Sequence, residues 1–256
     1  MSAVAVHHAE AGRADAPVVV LAHSLGADLT TWEEQVEPLV EAGLRVVRYD
    51  GRGHGGSPVP EGPYDIADLG GDLVALLDLL GVERAHLVGI SLGGMAVLWV
   101  AAHHPGRVAR LVPACTTARF PDPAPWRERA AAVRAGGTAA VAEAVAQRWL
   151  PASQRTPDRL AALVAMIAGT PPEGYASCCG ALERLDLRAD LARIRAPTLV
   201  LGGREDEAIP PAHQEELAAA IDGARLELLD DAAHLANLAR PDAFSALLTS
   251  FLTDPD

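Results

Sequence analysis

Two hydrophobic patterns alternate along this chain. Short, continuous apolar runs are typical of strands buried on both faces of a parallel sheet, whereas apolar residues that recur every three or four positions indicate helices. The runs occupy residues 17–22, 45–50, 85–88, 108–114, 197–202 and 225–229. Helical spacing occupies residues 30–41, 65–80, 95–102, 211–221 and 241–252. This alternation predicts an α/β fold with a doubly wound, mostly parallel sheet.

The alternation stops between residues 120 and 188. Prolines interrupt this stretch at positions 121, 123, 125, 151, 157, 171 and 172, and alanine-rich helical pieces lie between them. We therefore expect a helical cap, residues 120–188, inserted into a single domain that spans residues 1–256. The cap contains eight arginines and seven acidic residues, whereas the whole chain has a formal net charge of −13. An anionic ligand would therefore meet a less acidic surface at the cap than elsewhere.

Charge and cysteine content narrow the class of protein. All 21 basic residues are arginine, so Schiff-base chemistry and a lysine general base are excluded. The acidic balance argues against nucleic acid and anionic membranes as partners. No apolar run reaches the roughly 18 residues that a transmembrane helix needs, and no signal peptide is visible in residues 1–10. With three cysteines, an odd number, the sequence predicts a cytoplasmic protein without a disulfide framework.

Residues 89–93 read Gly-Ile-Ser-Leu-Gly, which matches the pattern G-x-S-x-G. An apolar strand precedes them and an apolar helix follows, so Ser91 is predicted to lie on the sharp strand-to-helix turn called a nucleophile elbow. Glycine at positions 89 and 93 lets the strand and the helix approach each other closely. The amino terminus of the helix behind Ser91 would favour negative charge that develops during acyl transfer.

A serine nucleophile needs a base, and the base needs a carboxylate to orient it. In this architecture the three residues follow the order serine, acid, histidine. Of the nine histidines, His234 is best placed, because it follows the last predicted strand at the carboxyl edge of the sheet. Asp206 is the favoured acid, since it lies in the turn after the penultimate strand. The competing acids are Glu205, Glu207, Asp230 and Asp231.

Acyl transfer also needs two N–H groups that bind the developing oxyanion. The Leu92 N–H follows the nucleophile directly, and the Leu25 N–H lies in the loop after the first buried strand. We predict that these two groups form the oxyanion hole. His23, in the same loop, is interpreted as a residue that stabilises the loop rather than as a catalytic one.

The chain resembles the α/β-hydrolase family along its whole length and, more narrowly, the 3-oxoadipate enol-lactonases of the β-ketoadipate pathway of aromatic degradation. Glu173-Gly174-Tyr175-Ala176-Ser177-Cys178-Cys179 carries most of the narrower resemblance. Two departures are His23, where relatives commonly have Asn, and Gly51, where Thr is common. The other segments that carry the resemblance are residues 23–29 with Trp32, residues 89–94, 126–129, 185–188 and 232–237.

The resemblance implies an α/β-hydrolase fold with a sheet of about eight strands. It also implies hydrolysis of a small anionic lactone, with no metal and no cofactor. Ser91, Asp206 and His234 would open the lactone ring through an acyl-enzyme. Arg129 is the candidate for the substrate carboxylate, with Arg134 and Arg148 behind it. Trp126 and Trp149 would line the pocket, although packing within the cap is an equal alternative for both. In some relatives the domain is fused to a decarboxylase, whereas here we expect it to stand alone.

Two other functions are compatible with the same residues. A general carboxylesterase or a cofactor-free perhydrolase needs only the triad, and the cap segment around Gly174 separates these activities from lactone hydrolysis. A non-catalytic ligand receptor on the same scaffold is the third hypothesis. The presence of all three triad residues argues against a receptor, because a binding protein does not need them. The sequence gives no prediction of the oligomeric state.

Overall fold

The fold, given by a computed structural model that describes residues 2–254, centres on one seven-stranded sheet. The strands are β1 (His8–Ala11), β2 (Val18–Ala22), β3 (Arg45–Tyr49), β4 (Ala85–Ile90), β5 (Val108–Ala114), β6 (Leu199–Gly203) and β7 (Arg225–Leu229). Their spatial order is β1-β3-β2-β4-β5-β6-β7. β1 runs antiparallel to β3, and every other neighbouring pair is parallel. The predicted α/β class with a mostly parallel sheet is confirmed.

The strand count corrects the prediction in one respect. Within residues 2–254 the sheet has seven strands rather than about eight. Six of them lie within two residues of the predicted runs, and four of these, β2, β4, β5 and β6, are almost entirely buried, as continuous apolar runs predict. β1 was missed, since its sequence His-Ala-Glu-Ala contains no apolar run and the strand is only partly buried at the sheet edge.

Ten α-helices among residues 2–254 complete the layers. They are α1 (Glu33–Glu41), α2 (Ile66–Leu79), α3 (Leu92–His103), α4 (Ala124–Gly136), α5 (Ala139–Trp149), α6 (Pro157–Gly169), α7 (Pro172–Glu183), α8 (Pro211–Ala220), α9 (Ala236–Ala239) and α10 (Pro241–Leu252). α3 has almost no polar face because it packs against β2, β4, β5 and α2. No helix among the described residues combines the length and apolar character needed to cross a membrane.

Local capping explains where two predicted helices begin. The Asp65 side chain accepts a hydrogen bond from the backbone at the start of α2, and Asp68 reciprocates, which forms a capping box. The helix predicted over residues 30–41 is divided instead. Asp28 caps a short 3₁₀ turn, Leu29–Trp32, and α1 follows it directly.

The strands that follow β2 in the sequence are added to opposite sides of it. β3 lies on one side of β2, whereas β4 and β5 lie on the other, so the carboxyl ends of β2 and β4 are adjacent at a topological switch point. Ala22 at the end of β2 pairs with Gly89 near the end of β4. Ligands bind preferentially at such a point, because the two outgoing loops diverge and leave a crevice.

Four helices, α4 to α7, lie between β5 and β6, in the segment predicted to be helical. We call residues 120–188 the cap segment. α4 packs against α7, and α5 packs against α6. The Leu235 N–H donates a hydrogen bond of 2.9 Å to the Trp149 carbonyl, which joins the end of α5 to the loop after β7. The division of the chain into one domain with an inserted cap stays a prediction.

Candidate active site

Ser91 lies between β4 and α3 in a backbone conformation that few non-glycine residues adopt, with φ 56° and ψ −116°. Two hydrogen bonds hold it there: the Ser91 N–H donates to the Ala114 carbonyl at 2.9 Å, and the Thr116 hydroxyl donates to the Ser91 carbonyl at 2.7 Å. A strained residue persists only where its surroundings fix it, and such residues cluster at functional sites. Ser91 is therefore held at the elbow tip by contacts on both sides.

The flanking glycines permit this close approach. A Cβ atom on Gly89 would overlap the Gly93 carbonyl, and one on Gly93 would overlap the Ala22 carbonyl at the end of β2. The amino terminus of α3 can therefore pack against two strands only when both positions lack a side chain. This agrees with the close packing inferred from the G-x-S-x-G pattern.

Ser91, His234 and Asp206 form a continuous hydrogen-bonded chain. The Ser91 Oγ is 2.9 Å from His234 Nε2, and His234 Nδ1 is 2.9 Å from Asp206 Oδ2. All three residues are buried, with Ser91 the most accessible at 8%. In this geometry the imidazole can accept the serine proton while the carboxylate holds its other nitrogen.

Asp206 is fixed by the turn that follows β6. Its Oδ1 accepts hydrogen bonds from the Ala208 N–H at 2.8 Å and the Ile209 N–H at 2.9 Å, so only Oδ2 faces His234. The four acids that compete with it in the sequence are exposed and do not contact His234: Glu205, Glu207, Asp230 and Asp231. The structure therefore brings together the three residues selected from the sequence.

The predicted oxyanion donors lie on either side of the switch point. Leu25 follows β2 and lines the same cavity as Ser91, and Leu92 is the first residue of α3. Within residues 2–254, neither N–H group has a backbone or side-chain acceptor. The first N–H groups of a helix have no partner inside the helix, so the Leu92 N–H is available to an oxyanion. The assignment of both groups as the oxyanion hole stays a prediction.

Two buried histidines hold the Leu25 loop. His23 Nε2 accepts the Gly51 N–H at 2.9 Å and its Nδ1 lies 2.7 Å from the Ser24 carbonyl, which supports the loop-stabilising interpretation. His54, which no local sequence pattern marks, accepts the Gly26 N–H at 3.0 Å through Nε2. Burial lowers the pKa of both imidazoles, that of His54 to about 3 with the neighbouring His23 contributing. Both rings are therefore neutral, because a ring nitrogen that accepts a hydrogen bond cannot carry a proton.

A cavity of about 200 Å³ opens on Ser91 and His234. Three residues that were predicted to contact substrate, Trp126, Arg129 and Trp149, all line it. The volume is below the roughly 300–1,000 Å³ typical of sites for drug-sized ligands, so the cavity suits a small molecule. Trp149 is 2% exposed and packed within the core, and it also forms part of the cavity wall.

The cationic side of the cavity comes from the cap segment. The Arg129 guanidinium lies 4.6 Å from the centroid of the Trp126 ring, a cation–π distance. Arg148 lines the same cavity, and burial together with Arg129 lowers its pKa. Neither arginine forms an ion pair with a carboxylate of residues 2–254. Arg134, the other candidate, pairs with Glu173 at 2.9 Å and does not line the cavity.

Tyr175 completes this wall, and the sequence pointed to it only through the family resemblance. Its side chain is fully buried in α7, lines the cavity and makes no hydrogen bond of good geometry through its hydroxyl among the described residues. Burial raises the pKa of Tyr175 to about 12, and the nearby Arg129 and Arg148 oppose that rise. No local sequence pattern marks a tyrosine of this kind, because the cavity forms only when α7 packs against α4.

Comparison with known proteins places the chain among hydrolases. The family model described as alpha/beta hydrolase fold matches residues 17–241. The chain is 38% identical to 3-oxoadipate enol-lactonase 2 of Acinetobacter baylyi, over 94% of this chain and 91% of that protein. The crystal structure of the enol-lactonase from Burkholderia xenovorans LB400 is 42% identical, with a TM-score of 0.94 over 97% of this chain and 96% of that one. RutD of Variovorax paradoxus, provisionally described as a carbamate hydrolase, is 34% identical over 96% of each chain.

Proposed function

We propose that this chain, which belongs to the α/β-hydrolase family, is a serine hydrolase that opens the lactone ring of 3-oxoadipate enol-lactone to give 3-oxoadipate. One observation carries the proposal: the Ser91–His234–Asp206 chain opens into a small cavity that also holds two arginines without carboxylate partners among residues 2–254. The similarity to two enol-lactonases supports the same substrate. The reaction would belong to cytoplasmic degradation of aromatic compounds, with no nucleic-acid or membrane partner.

The first half of the reaction forms the acyl-enzyme. The Ser91 Oγ attacks the lactone carbonyl carbon as His234 Nε2 takes the serine proton. The Leu25 and Leu92 N–H groups bind the tetrahedral oxyanion, a type of interaction worth about 3–4 kcal/mol per donor in the transition state. The ring C–O bond then breaks, and His234 returns its proton to the enol oxygen. An enol is a better leaving group than an alkoxide, so this step needs little further assistance.

The second half releases the acid. His234 takes a proton from water, the resulting hydroxide attacks the acyl carbon, and the tetrahedral intermediate collapses with return of the proton to Ser91. The product enol tautomerises to the ketone. Asp206 keeps the imidazole in the tautomer with a proton on Nδ1 throughout, because its Oδ2 accepts that proton's hydrogen bond.

Arg129 would bind the carboxylate that the lactone carries outside its ring. A guanidinium matches a carboxylate with two parallel hydrogen bonds, and the Trp126 ring beneath Arg129 limits the orientations of its side chain. The overall acidic surface repels anions at long range, so a local cation of this kind is needed for anionic substrates.

The direct test is loss of the ultraviolet absorbance of the enol-lactone on addition of purified protein. Ser91→Ala should lower the rate by roughly 10⁴-fold or more, because no other group can form the acyl-enzyme. Retained turnover in this variant would remove Ser91 from the mechanism. No reaction with the lactone, together with fast cleavage of p-nitrophenyl acetate, would instead support the general carboxylesterase.

Arg129→Ala tests the carboxylate contact. The KM for the anionic lactone should rise roughly tenfold to a hundredfold, the range expected for a charged hydrogen bond, with little change for a neutral ester. Arg127→Ala is the matched control, since Arg127 lies on the same helix but pairs with Glu183 on the surface. Equal effects on the two substrates would exclude Arg129 as the carboxylate ligand.

A second candidate function is carbamate hydrolysis, which the 34% identity to RutD favours. The same triad would attack the carbamate carbonyl and expel an amine or ammonia. Assay of ammonia release from small carbamates, beside the lactone assay and with Ser91→Ala as the blank, separates the two activities.

A further inference from the structure

Gln214 is a fully buried polar residue of α8 that joins two loops at the catalytic edge of the sheet. Its side chain is 0% exposed. Its Nε2 donates to the Thr116 carbonyl at 3.0 Å and to the Ile209 carbonyl at 3.4 Å. The orientation of the amide follows from these two acceptors, because an oxygen in the same place would be repelled by both carbonyls. Gln214 therefore links the loop after β5 to the loop after β6.

Each carbonyl that Gln214 binds belongs to a residue that holds one member of the triad. The Thr116 hydroxyl donates to the Ser91 carbonyl at 2.7 Å. The Ile209 N–H donates to Asp206 Oδ1 at 2.9 Å. The amide of Gln214 thus lies between the support of the nucleophile and the support of the acid.

Together with the triad, these contacts form a closed ring of hydrogen bonds. His234 completes the ring, since its Nδ1 faces Asp206 Oδ2 and its Nε2 faces the Ser91 Oγ, both at 2.9 Å. The turn that carries Asp206 can then move away from Ser91 only when one of these bonds stretches or breaks. A misplacement of about 1 Å at reacting groups can lower a rate by about 10²-fold, so such a restraint matters for catalysis.

The other end of the amide shows that packing alone does not call for a glutamine here. Gln214 Oε1 is buried and has no hydrogen-bond partner among the described residues. An unsatisfied buried acceptor is unfavourable, and each one in a native protein needs an explanation. Methionine has a similar length and would leave no such oxygen. The NH₂ group, which binds both loops, is therefore the useful part of this side chain.

We infer that Gln214 is a positioning residue, which keeps the Asp206 turn at a fixed distance from Ser91. It is not among the residues that line the catalytic cavity within residues 2–254, so it acts through Thr116 and Ile209 and does not contact substrate. The inference rests on the proposed acyl transfer at Ser91 and is independent of which ester or lactone is the substrate. Loss of the bridge should lower kcat and leave KM almost unchanged.

Two substitutions of Gln214 remove the bridge in different ways. Gln214→Met keeps the length and removes the donor, whereas Gln214→Asn keeps the amide but is one methylene too short to reach both loops. The test therefore stands when either variant folds. Leu217→Ala is the matched control, because Leu217 is a buried residue on the next turn of α8 and its truncation creates a cavity without removing a hydrogen bond.

The measured quantities are kcat and KM for p-nitrophenyl acetate, together with the thermal midpoint of each variant. Both half-reactions need the triad, so kcat reports its geometry whichever step limits the rate. We expect kcat to fall about 10- to 100-fold in the two Gln214 variants, with KM within about threefold of the wild type. Leu217→Ala should keep kcat within about threefold although its thermal midpoint falls. Unchanged kcat in the folded Gln214 variants, or an equal loss in Leu217→Ala, would overturn the inference.

A double-mutant cycle tests whether Gln214 and Thr116 act through one ring. Thr116→Val removes the hydroxyl that holds Ser91, and Thr117→Val is its control, because the Thr117 hydroxyl contacts the Arg119 carbonyl and His213 instead. A ring that is already open has little left to lose. The double variant Gln214→Met/Thr116→Val should therefore be about as slow as the slower single variant.

Losses that multiply in the double variant would overturn the ring, since they would show two independent effects. The choice of p-nitrophenyl acetate separates this inference from the proposed substrate. A wild type that cleaves this ester but not the enol-lactone, with the expected losses in the Gln214 variants, supports the positioning role and overturns only the proposed lactone.

Discussion

Replacement of Asp206 by Asn gives a sharp test of the hydrogen-bonded chain at Ser91. The Asp206 carboxylate is used asymmetrically: Oδ1 accepts the Ala208 and Ile209 N–H groups, whereas Oδ2 faces His234 Nδ1 at 2.9 Å. An asparagine in the same place must keep its carbonyl oxygen on the two backbone donors. Its NH₂ group is then forced towards His234.

This forced orientation reverses the histidine tautomer. His234 Nδ1 would have to accept a hydrogen bond from the NH₂ group of the introduced asparagine, which moves the imidazole proton to Nε2, the nitrogen that faces Ser91 Oγ. A protonated Nε2 cannot take the serine proton. The equivalent change in another serine hydrolase lowers kcat by about 10⁴-fold, which corresponds to about 5 kcal/mol at the transition state. Because both backbone hydrogen bonds survive, the thermal midpoint should change by only a few degrees.

The assay is hydrolysis of p-nitrophenyl acetate and of the enol-lactone by wild type, Asp206→Asn and Asp230→Asn. Asp230 is the matched control, because it is exposed and its partner is Arg204 rather than a histidine. We expect kcat to fall about 10⁴-fold in Asp206→Asn alone. A loss smaller than tenfold in a folded Asp206→Asn protein would refute the tautomer argument. An equal loss in the control would do the same, because it would show that the effect is not specific to the His234 partner.

The elbow and the histidine pair beneath the Leu25 loop give two further predictions. Gly93→Ala should lower the free energy of unfolding by about 1–3 kcal/mol and reduce kcat, because the added methyl overlaps the Ala22 carbonyl. Gly71→Ala, in open space within α2, should instead raise the free energy of unfolding by about 0.5–1 kcal/mol. Urea titration checks both variants, and equal stability of the two would contradict the packing argument. Burial lowers the pKa of His54 to about 3 in the folded protein, whereas the same imidazole in the unfolded chain has a pKa near 6.5. Between these two values the unfolded chain binds a proton that the folded protein does not. The free energy of unfolding therefore falls as the pH falls from about 6.5 to about 3. Between pH 7 and pH 5 this single group should cost about 2 kcal/mol, a decrease that His54→Gln removes; identical pH dependence in wild type and variant would show that His54 does not carry it.

The elements with strong local signals were predictable from the sequence. β5 and β7 match their predicted bounds, and α10 does as well, because apolar runs and helical spacing depend on residues that are neighbours in the chain. β1 lacked such a signal, since an edge strand held by pairing to β3 needs no apolar run of its own. The 3₁₀ turn before α1 was also missed. Apolar residues over positions 30–41 have the spacing of one helix, which does not reveal the separate tight turn, Leu29–Trp32, that Asp28 caps.

Local signals in the sequence were enough to predict Ser91, Asp206, His234 and the elbow, because G-x-S-x-G and the ends of apolar strands are local features with a fixed chain order. The surroundings of these residues follow from long-range packing. Leu25 reaches the elbow because β2 and β4 are neighbours in the sheet although β3 lies between them in the sequence. His54 supports the Leu25 loop from a turn that is distant in sequence. Arg148 and Tyr175 share the cavity with Ser91 because separate helices of the cap segment converge over it. Convergence of this kind depends on packing between distant segments, which leaves no periodicity in the chain.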